Sequence, residues 1–260
     1  MEIDMNEYKP RTELKNNAKD ILTGKYASTI LLIFMRGIFV MFLSSLTVSI
    51  NRQLAAIIMG LTNTTENNSV IMVLSFLISL LFSILSAVFN VGFTLYFLNA
   101  ACGRPLSPFY LFYGFQQDFN KSFCISAILV LLDTICYAPM EIIKCHVTRT
   151  YSLEASWMPI MLVAVVVGFL VRLPLSLGLS QCYFLMLDFP EYSVSQIVKL
   201  SFRVMNGHKM RLLLIEISFL PLMLICILTW GIGALWLTPY INMVHTLFFL
   251  DLMNPKKAGA

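Results

Sequence analysis

Six apolar stretches dominate this chain, at residues 26–50, 70–98, 123–140, 157–187, 212–230 and 232–250. At about 1.5 Å of rise per residue each reaches across about 30 Å of hydrocarbon, the third barely. Lipid offers peptide groups no hydrogen bonds, so such runs cross as helices. One buried core cannot absorb 58% hydrophobic residues beside 12% charged ones, because soluble domains hold about half and about a quarter. Mean hydropathy is +0.79. The expected fold is therefore all-α: a polytopic bundle of about six spans in three hairpins. The stretch at 157–187 is 31 residues long, and must tilt, kink near Pro174 or emerge at one end.

The formal charge of +4 is informative only through its placement. With the N-terminus inside, thirteen lysines and arginines fall in cytoplasmic segments, three (Arg52, Lys144 and Arg149) in outer loops and two within spans. This asymmetry puts both termini in the cytoplasm. Nucleic-acid binding needs a solvated basic patch, and the basic residues here flank spans instead. The first twenty residues mix acids and bases with no small-residue cleavage site after a short apolar core, so the first span is expected to act as the insertion signal. Cys102, Cys124, Cys136, Cys145, Cys182 and Cys226 are scattered without CxxC spacing, which argues against a disulfide framework or metal site.

Three segments between spans carry their own pattern. Residues 12–23 place Leu14, Ala18, Ile21 and Leu22 on one helical face and Lys15, Lys19 and Asp20 elsewhere, as in a helix lying in the membrane interface. Residues 193–206 repeat this: Ser193 and Gln196 form a capping-box pattern, Val194, Ile197, Val198 and Met205 share a face, and Lys199 and Arg203 sit four apart on another. Between them, Ser107 and Pro108 read as an N-cap and first helical residue, opening an aromatic run from Phe109 to Phe115. Each segment leads to a lysine at the mouth of a span: Lys25, Lys121 and Lys209. The chain thus reads as one membrane domain over 1–260 with three divergent copies of a helix-plus-hairpin unit, at roughly 12–98, 107–187 and 193–250, and a short cytoplasmic tail at 251–260.

The run from Arg11 through Asn16, Asn17, Asp20, Gly24 and Lys25 to Tyr26 resembles the opening of a bacterial integral membrane family called domain of unknown function 975. The closing half is similar too, in Ser201, Met205, Gly207, Lys209, Gly231, Ile232, Gly233, Trp236, Pro239, Tyr240 and Asp251. The resemblance covers nearly the whole chain and implies a multi-pass protein of the bacterial cytoplasmic membrane. It implies no activity and carries over no catalytic residues. In layout the chain is also similar to the membrane domains fused to some glycerophosphodiester phosphodiesterases, whose catalytic domain has no counterpart here.

Charges within lipid cost roughly 3 kcal/mol at the bilayer centre, so Arg36, Asp133 and Arg172 need partners. Arg36 lies 11 residues after Lys25 and Asp133 lies 12 after Lys121, which places both near mid-membrane at equivalent points of two repeats. A salt-bridged cluster of these three is expected, either holding spans together or binding an anion or relaying protons. Asn90 in the second stretch and Asn242 and His245 in the sixth, in a chain whose fourth and sixth stretches carry Pro174 and Pro239, are candidates to line a cavity, with packing kinks and interhelical hydrogen bonds as the plainer reading. Glu216 reads as a snorkelling interfacial carboxylate within reach of Lys209 or Arg211.

No HExxH, GxSxG or phosphate-cradling glycine loop is present, and no cofactor, metal or enzymatic activity is expected. The first functional expectation is a module that organises lipid or a membrane partner protein, with Lys25, Lys121, Lys199, Arg203, Lys209 and Arg211 facing anionic head groups. The alternative is a small-molecule or ion transporter working through the charged cluster.

Overall fold

A computed structural model describes residues 8–62, 69–150 and 157–253. Residues 63–68 and the two lysines at 256 and 257 lie outside the described residues. The elements are α1 (Arg11–Leu22), α2 (Tyr26–Thr62), α3 (Ser69–Ala101), a 3-10 turn (Pro108–Phe112), α4 (Tyr113–Gln116), α5 (Phe119–Thr150), α6 (Trp157–Leu179), α7 (Cys182–Asp188), α8 (Val194–Val204), α9 (Lys209–Ile217), α10 (Leu220–Leu228) and α11 (Ala234–Met253). Among the described residues every regular element is helical.

Five segments are long and apolar enough to cross a membrane: Tyr26–Leu61, Ser69–Ala101, Phe119–Ile143, Pro159–Asp188 and Lys209–Leu228. The sixth apolar stretch forms α11, which is not among them, and the reason is visible in its residues. Thr238, Tyr240, Asn242, His245, Thr246 and Asp251 interrupt it, and protein rather than lipid surrounds much of it: Tyr240, Met243, Val244, Phe248, Phe249 and Asp251 are all buried.

The fourth and fifth long stretches each contain a break. Pro174 lies inside α6, and the fourth stretch breaks instead at Ser180 and Gln181, between α6 and α7. The fifth breaks at Ser218 and Phe219, where Pro221 starts α10. Proline suits the first turn of a helix because the N–H it lacks would have no intrahelical partner there. The aromatic segment is a 3-10 turn plus one turn of α-helix, jointed at Phe112 (φ −88°, ψ 0°), with Ser107 Oγ accepting from Phe109 N at 3.3 Å.

The chain forms two compact units. The first comprises Met1–Gly37, Phe89–Ser122 and Leu177–Ala260. Here α1 runs antiparallel along α11: Lys9 N lies 3.3 Å from both carboxylate oxygens of Asp251, and Lys19 Nζ lies 5.7 Å from the Tyr240 ring. The apolar face of α1 (Leu14, Ala18, Leu22) is thereby covered by its own chain. Likewise α8 buries Ile197, Ser201 and Met205, and Ser201 Oγ donates to Gly178 O at 2.7 Å. Its capping box is complete, with Ser193 N donating to Gln196 Oε1 at 2.8 Å. Tyr96 is buried with its hydroxyl 2.8 Å from Ser28 Oγ. Phe89 packs on Phe115 (4.9 Å between centroids) and Phe184 stacks on Phe249 (4.9 Å).

The second unit comprises Ile38–Val88 and Phe123–Ser176. Asn51 Nδ2 donates to Ser79 Oγ at 3.1 Å, tying α2 to α3. α5 and α6 approach so closely at Gly168 that a Cβ there would lie 2.7 Å from Cys136 O. Small residues permit such contacts between membrane helices. Its outer surface is strongly apolar, with Met41, Leu61 and Ile135 each more than two-thirds exposed, as a lipid-facing surface requires.

Candidate functional site

The intramembrane charges separate into two arrangements. In the second unit Asp133 on α5 accepts two hydrogen bonds from Arg172 on α6, from Nε at 2.6 Å and Nη2 at 3.3 Å. This is the two-point fork that suits guanidinium and carboxylate geometry. The pair stays partly exposed, at 37% for the Arg172 side chain and 47% for Asp133. Arg36 belongs to the first unit, where Nη2 donates to Asn90 Oδ1 at 2.6 Å and the guanidinium lies 4.7 Å from the Phe93 centroid. Its Nε is buried without an acceptor. Of the expected trio, the ion pair thus joins Asp133 to Arg172, and the partner of Arg36 is an amide and a ring.

On α11 the candidate Asn242 bonds within its own helix. Asn242 Nδ2 donates to Thr238 O at 2.8 Å and Asn242 O accepts from Thr246 Oγ1 at 2.8 Å. His245 is deep, with Nε2 lacking a hydrogen-bond partner. Among the described residues no group of three His, Cys, Asp or Glu side chains is placed to hold a metal ion.

The basic residues expected at the interface differ in the contacts they make. Lys199 and Arg203 are exposed on α8. The others turn toward protein, and three of them reach the C-terminal end of a later helix. Lys25 Nζ donates to Ala100 O at 3.2 Å, at the end of α3. Lys121 Nζ donates to Pro190 O, just past α7. Arg211 Nη2 pairs with Asp251 near the end of α11 and donates to Lys9 O at 2.7 Å. Helix C-termini carry unmet carbonyls and a partial negative charge, which a cation satisfies. Lys209 Nζ lies 5.5 Å from the Phe202 centroid.

Arg211 and Asp251 are also the most enclosed ion pair described, with side chains 16% and 3% exposed. The guanidinium lies 5.0 Å from the Phe248 ring and 5.2 Å from Tyr8, which meets His208 edge-on at 4.6 Å. His208 titrates below an ordinary histidine, chiefly because of burial and then because of Arg211, with Asp251 opposing. Asp251 therefore belongs to α11 rather than to a solvated tail. In the sequence it stood out only as the last of the residues that carry the family resemblance of the closing half.

A groove of about 760 Å³ lies in the first unit between α1, α10 and α11. Lys15, Asn16 and Lys19 of α1 form its polar side, and Ile225, Trp236 and Leu237 its apolar side. Lys15 Nζ sits 4.5 Å from the Phe219 centroid. Its pKa is lowered by burial first and then by Arg11 and Lys19. The amphipathic pattern of α1 was legible in the sequence, but the groove was not, since it depends on α1 lying beside α11.

No curated protein and no solved structure matches the chain. One family model does, over residues 1–256. That match, spanning nearly every residue of a chain with five apolar helices long enough to cross a membrane, places it by descent: the chain belongs to the family described as Protein of unknown function (DUF975).

Proposed function

We propose that this protein is a non-enzymatic module of the bacterial cytoplasmic membrane that gathers acidic lipid at the cytoplasmic surface. The observation that carries the reading is α8. It buries Ile197, Ser201 and Met205, is fixed at its start by a capping box, and leaves Lys199 and Arg203 exposed on another face. Juxtamembrane cations held in this way attract anionic head groups at about 1 kcal/mol each.

The topology in this reading is three hairpins, each starting and ending at the cytoplasmic face, with both termini inside. The positive-inside bias supports it, as do the contacts from Lys25 to Ala100, Lys121 to Pro190 and Arg211 to Asp251, each bringing the two ends of one hairpin together. Transport through a charged cluster is the weaker reading, because Asp133 and Arg172 neutralise each other and Arg36 already holds Asn90.

Spin-labelled lipids in reconstituted vesicles test the proposal. Labelled phosphatidylglycerol should be immobilised around the protein in excess of labelled phosphatidylcholine. The excess should shrink as salt shortens the Debye length from about 10 Å at 0.1 M, and should fall several-fold in the Lys199→Ser/Arg203→Ser variant. Equal immobilisation of the two lipids at low salt would sink the reading.

A further inference from the structure

We propose that the groove between α1, α10 and α11 is a stoichiometric binding site for one acidic phospholipid, its head group held by Lys15 and Lys19 and an acyl chain laid against α10 and α11. The inference rests on the lipid-gathering reading but concerns a different place and a different kind of binding: one lipid seated in a built cavity, rather than a shell of lipid attracted to the surface cations of α8.

The groove has the two-sided chemistry of such a ligand. Its lining contains two lysines and no carboxylate, so an occupant with a negative head is favoured and a zwitterion gains less. Opposite them, Ile225 and Trp236 stay about half exposed although large and apolar, which leaves unsatisfied surface along which a hydrocarbon chain gains roughly 25 cal/mol per Å² buried. A volume of about 760 Å³ suits a bulky ligand rather than a lone ion.

The two lysines are also held in place before any ligand arrives. Lys15 Nζ lies over the Phe219 ring at 4.5 Å and Lys19 Nζ over Tyr240 at 5.7 Å. A ring face attracts a cation without neutralising it, so the charge remains available to a phosphate. At the far end Gly233 is packed so tightly that a Cβ would lie 2.9 Å from Cys226 Sγ. The absence of a side chain there leaves room for the close approach of the α10–α11 turn, and residues of both helices line the groove.

The test uses the full chain in neutral detergent, with two of its three tryptophans replaced (Trp157→Phe/Trp230→Phe), so that Trp236 alone reports from the groove. The probe is phosphatidic acid brominated on an acyl chain, which quenches a tryptophan it touches. The expected result is saturable quenching at one lipid per protein, at least tenfold tighter than for brominated phosphatidylcholine. Lys15→Gln/Lys19→Gln should weaken it at least tenfold. Lys15→Arg/Lys19→Arg should keep it, which separates lost charge from misfolding, and Lys199→Ser/Arg203→Ser should leave it unchanged.

Equal quenching by the two lipids, or full retention in the Lys15→Gln/Lys19→Gln variant, overturns the site. Displacement of the lipid by millimolar inorganic phosphate assigns the lysines to a free anion and overturns the lipid assignment. The lipid-gathering reading fails separately, when the native protein immobilises phosphatidylglycerol and phosphatidylcholine equally at low salt.

Discussion

Truncating Asp251 to alanine should destabilise the protein more than the loss of one surface ion pair, and the structure sets the scale. The Asp251 side chain is 3% exposed and that of Arg211 is 16% exposed. Removing the carboxylate strands the guanidinium, whose Nη1 already lacks a partner, and leaves Lys9 N without its acceptor. Breaking a buried pair from one side costs about 3–5 kcal/mol, whereas replacing both partners with apolar groups of similar volume is often neutral or stabilising. Asp251→Ala should therefore lose about 3–5 kcal/mol. At about 2–4 °C per kcal/mol for a chain of this size, that is a fall of roughly 10 °C in Tm. Asp251→Leu with Arg211→Met should recover at least half of the loss, because no charge is then stranded. The measurement is a double-mutant cycle on thermal unfolding in detergent, with Asp251→Leu and Arg211→Met as its single variants. A loss below about 1 kcal/mol for Asp251→Ala, typical of an exposed pair, would refute the reasoning. So would a double variant no better than the worse of its single variants.

Two further outcomes are expected. At Gly92 an added Cβ would run into the backbone carbonyl oxygens of Tyr110 and Leu111, whereas at Gly37 it would meet nothing within 4 Å. Gly92→Ala should thus lose at least 1–3 kcal/mol by overpacking, roughly, and Gly37→Ala should be neutral or gain up to about 1 kcal/mol in helix propensity; parallel melts of the two variants check the contrast. His208, beside Tyr8, Arg211 and Asp251, has a folded pKa below the unfolded value of about 6.5. The unfolded chain therefore takes up the proton more readily, so its share of stability is present above about pH 6.5 and is lost as pH falls through the lower folded value. His208→Asn should flatten that part of the stability–pH curve between pH 7 and 5, and an unchanged slope would remove His208 from the account.

What was legible in the sequence follows from which forces leave a one-dimensional trace. Hydrophobic length survives translation directly, so five of the six apolar runs reappear as helices long enough to cross a membrane. Caps are local too: Ser193 with Gln196, and Ser107 with Pro108, act where the sequence placed them. The breaks were harder. Pro174, near which a kink was one of three readings, lies within α6, and the helix is interrupted at Ser180 and Gln181. Membrane helices tolerate an internal proline when neighbouring groups satisfy the carbonyl it frees, so a proline alone does not locate a break.

Partner choice left the least trace, because it is set by contacts far apart in the chain. Depth counted from Lys25 and Lys121 put Arg36 and Asp133 at matching levels, yet depth fixes only one coordinate of a side chain and says nothing of which helix face it leaves. Arg36 accordingly found Asn90, 54 residues away, while Asp133 found Arg172, 39 away. The same limit explains α11. Read alone, its Tyr240, Asn242, His245 and Asp251 are polar groups whose partners the sequence does not identify. Beside α1, several of them are groups that the chain itself encloses: Asp251 takes Lys9 N and Arg211, and Tyr240 lies under Lys19. A polar helix and a hydrophobic one that each look incomplete in sequence are complete as a pair. One place they remain unfilled, the groove past Lys15 and Lys19, is where an added lipid has both a charge and an apolar wall to meet.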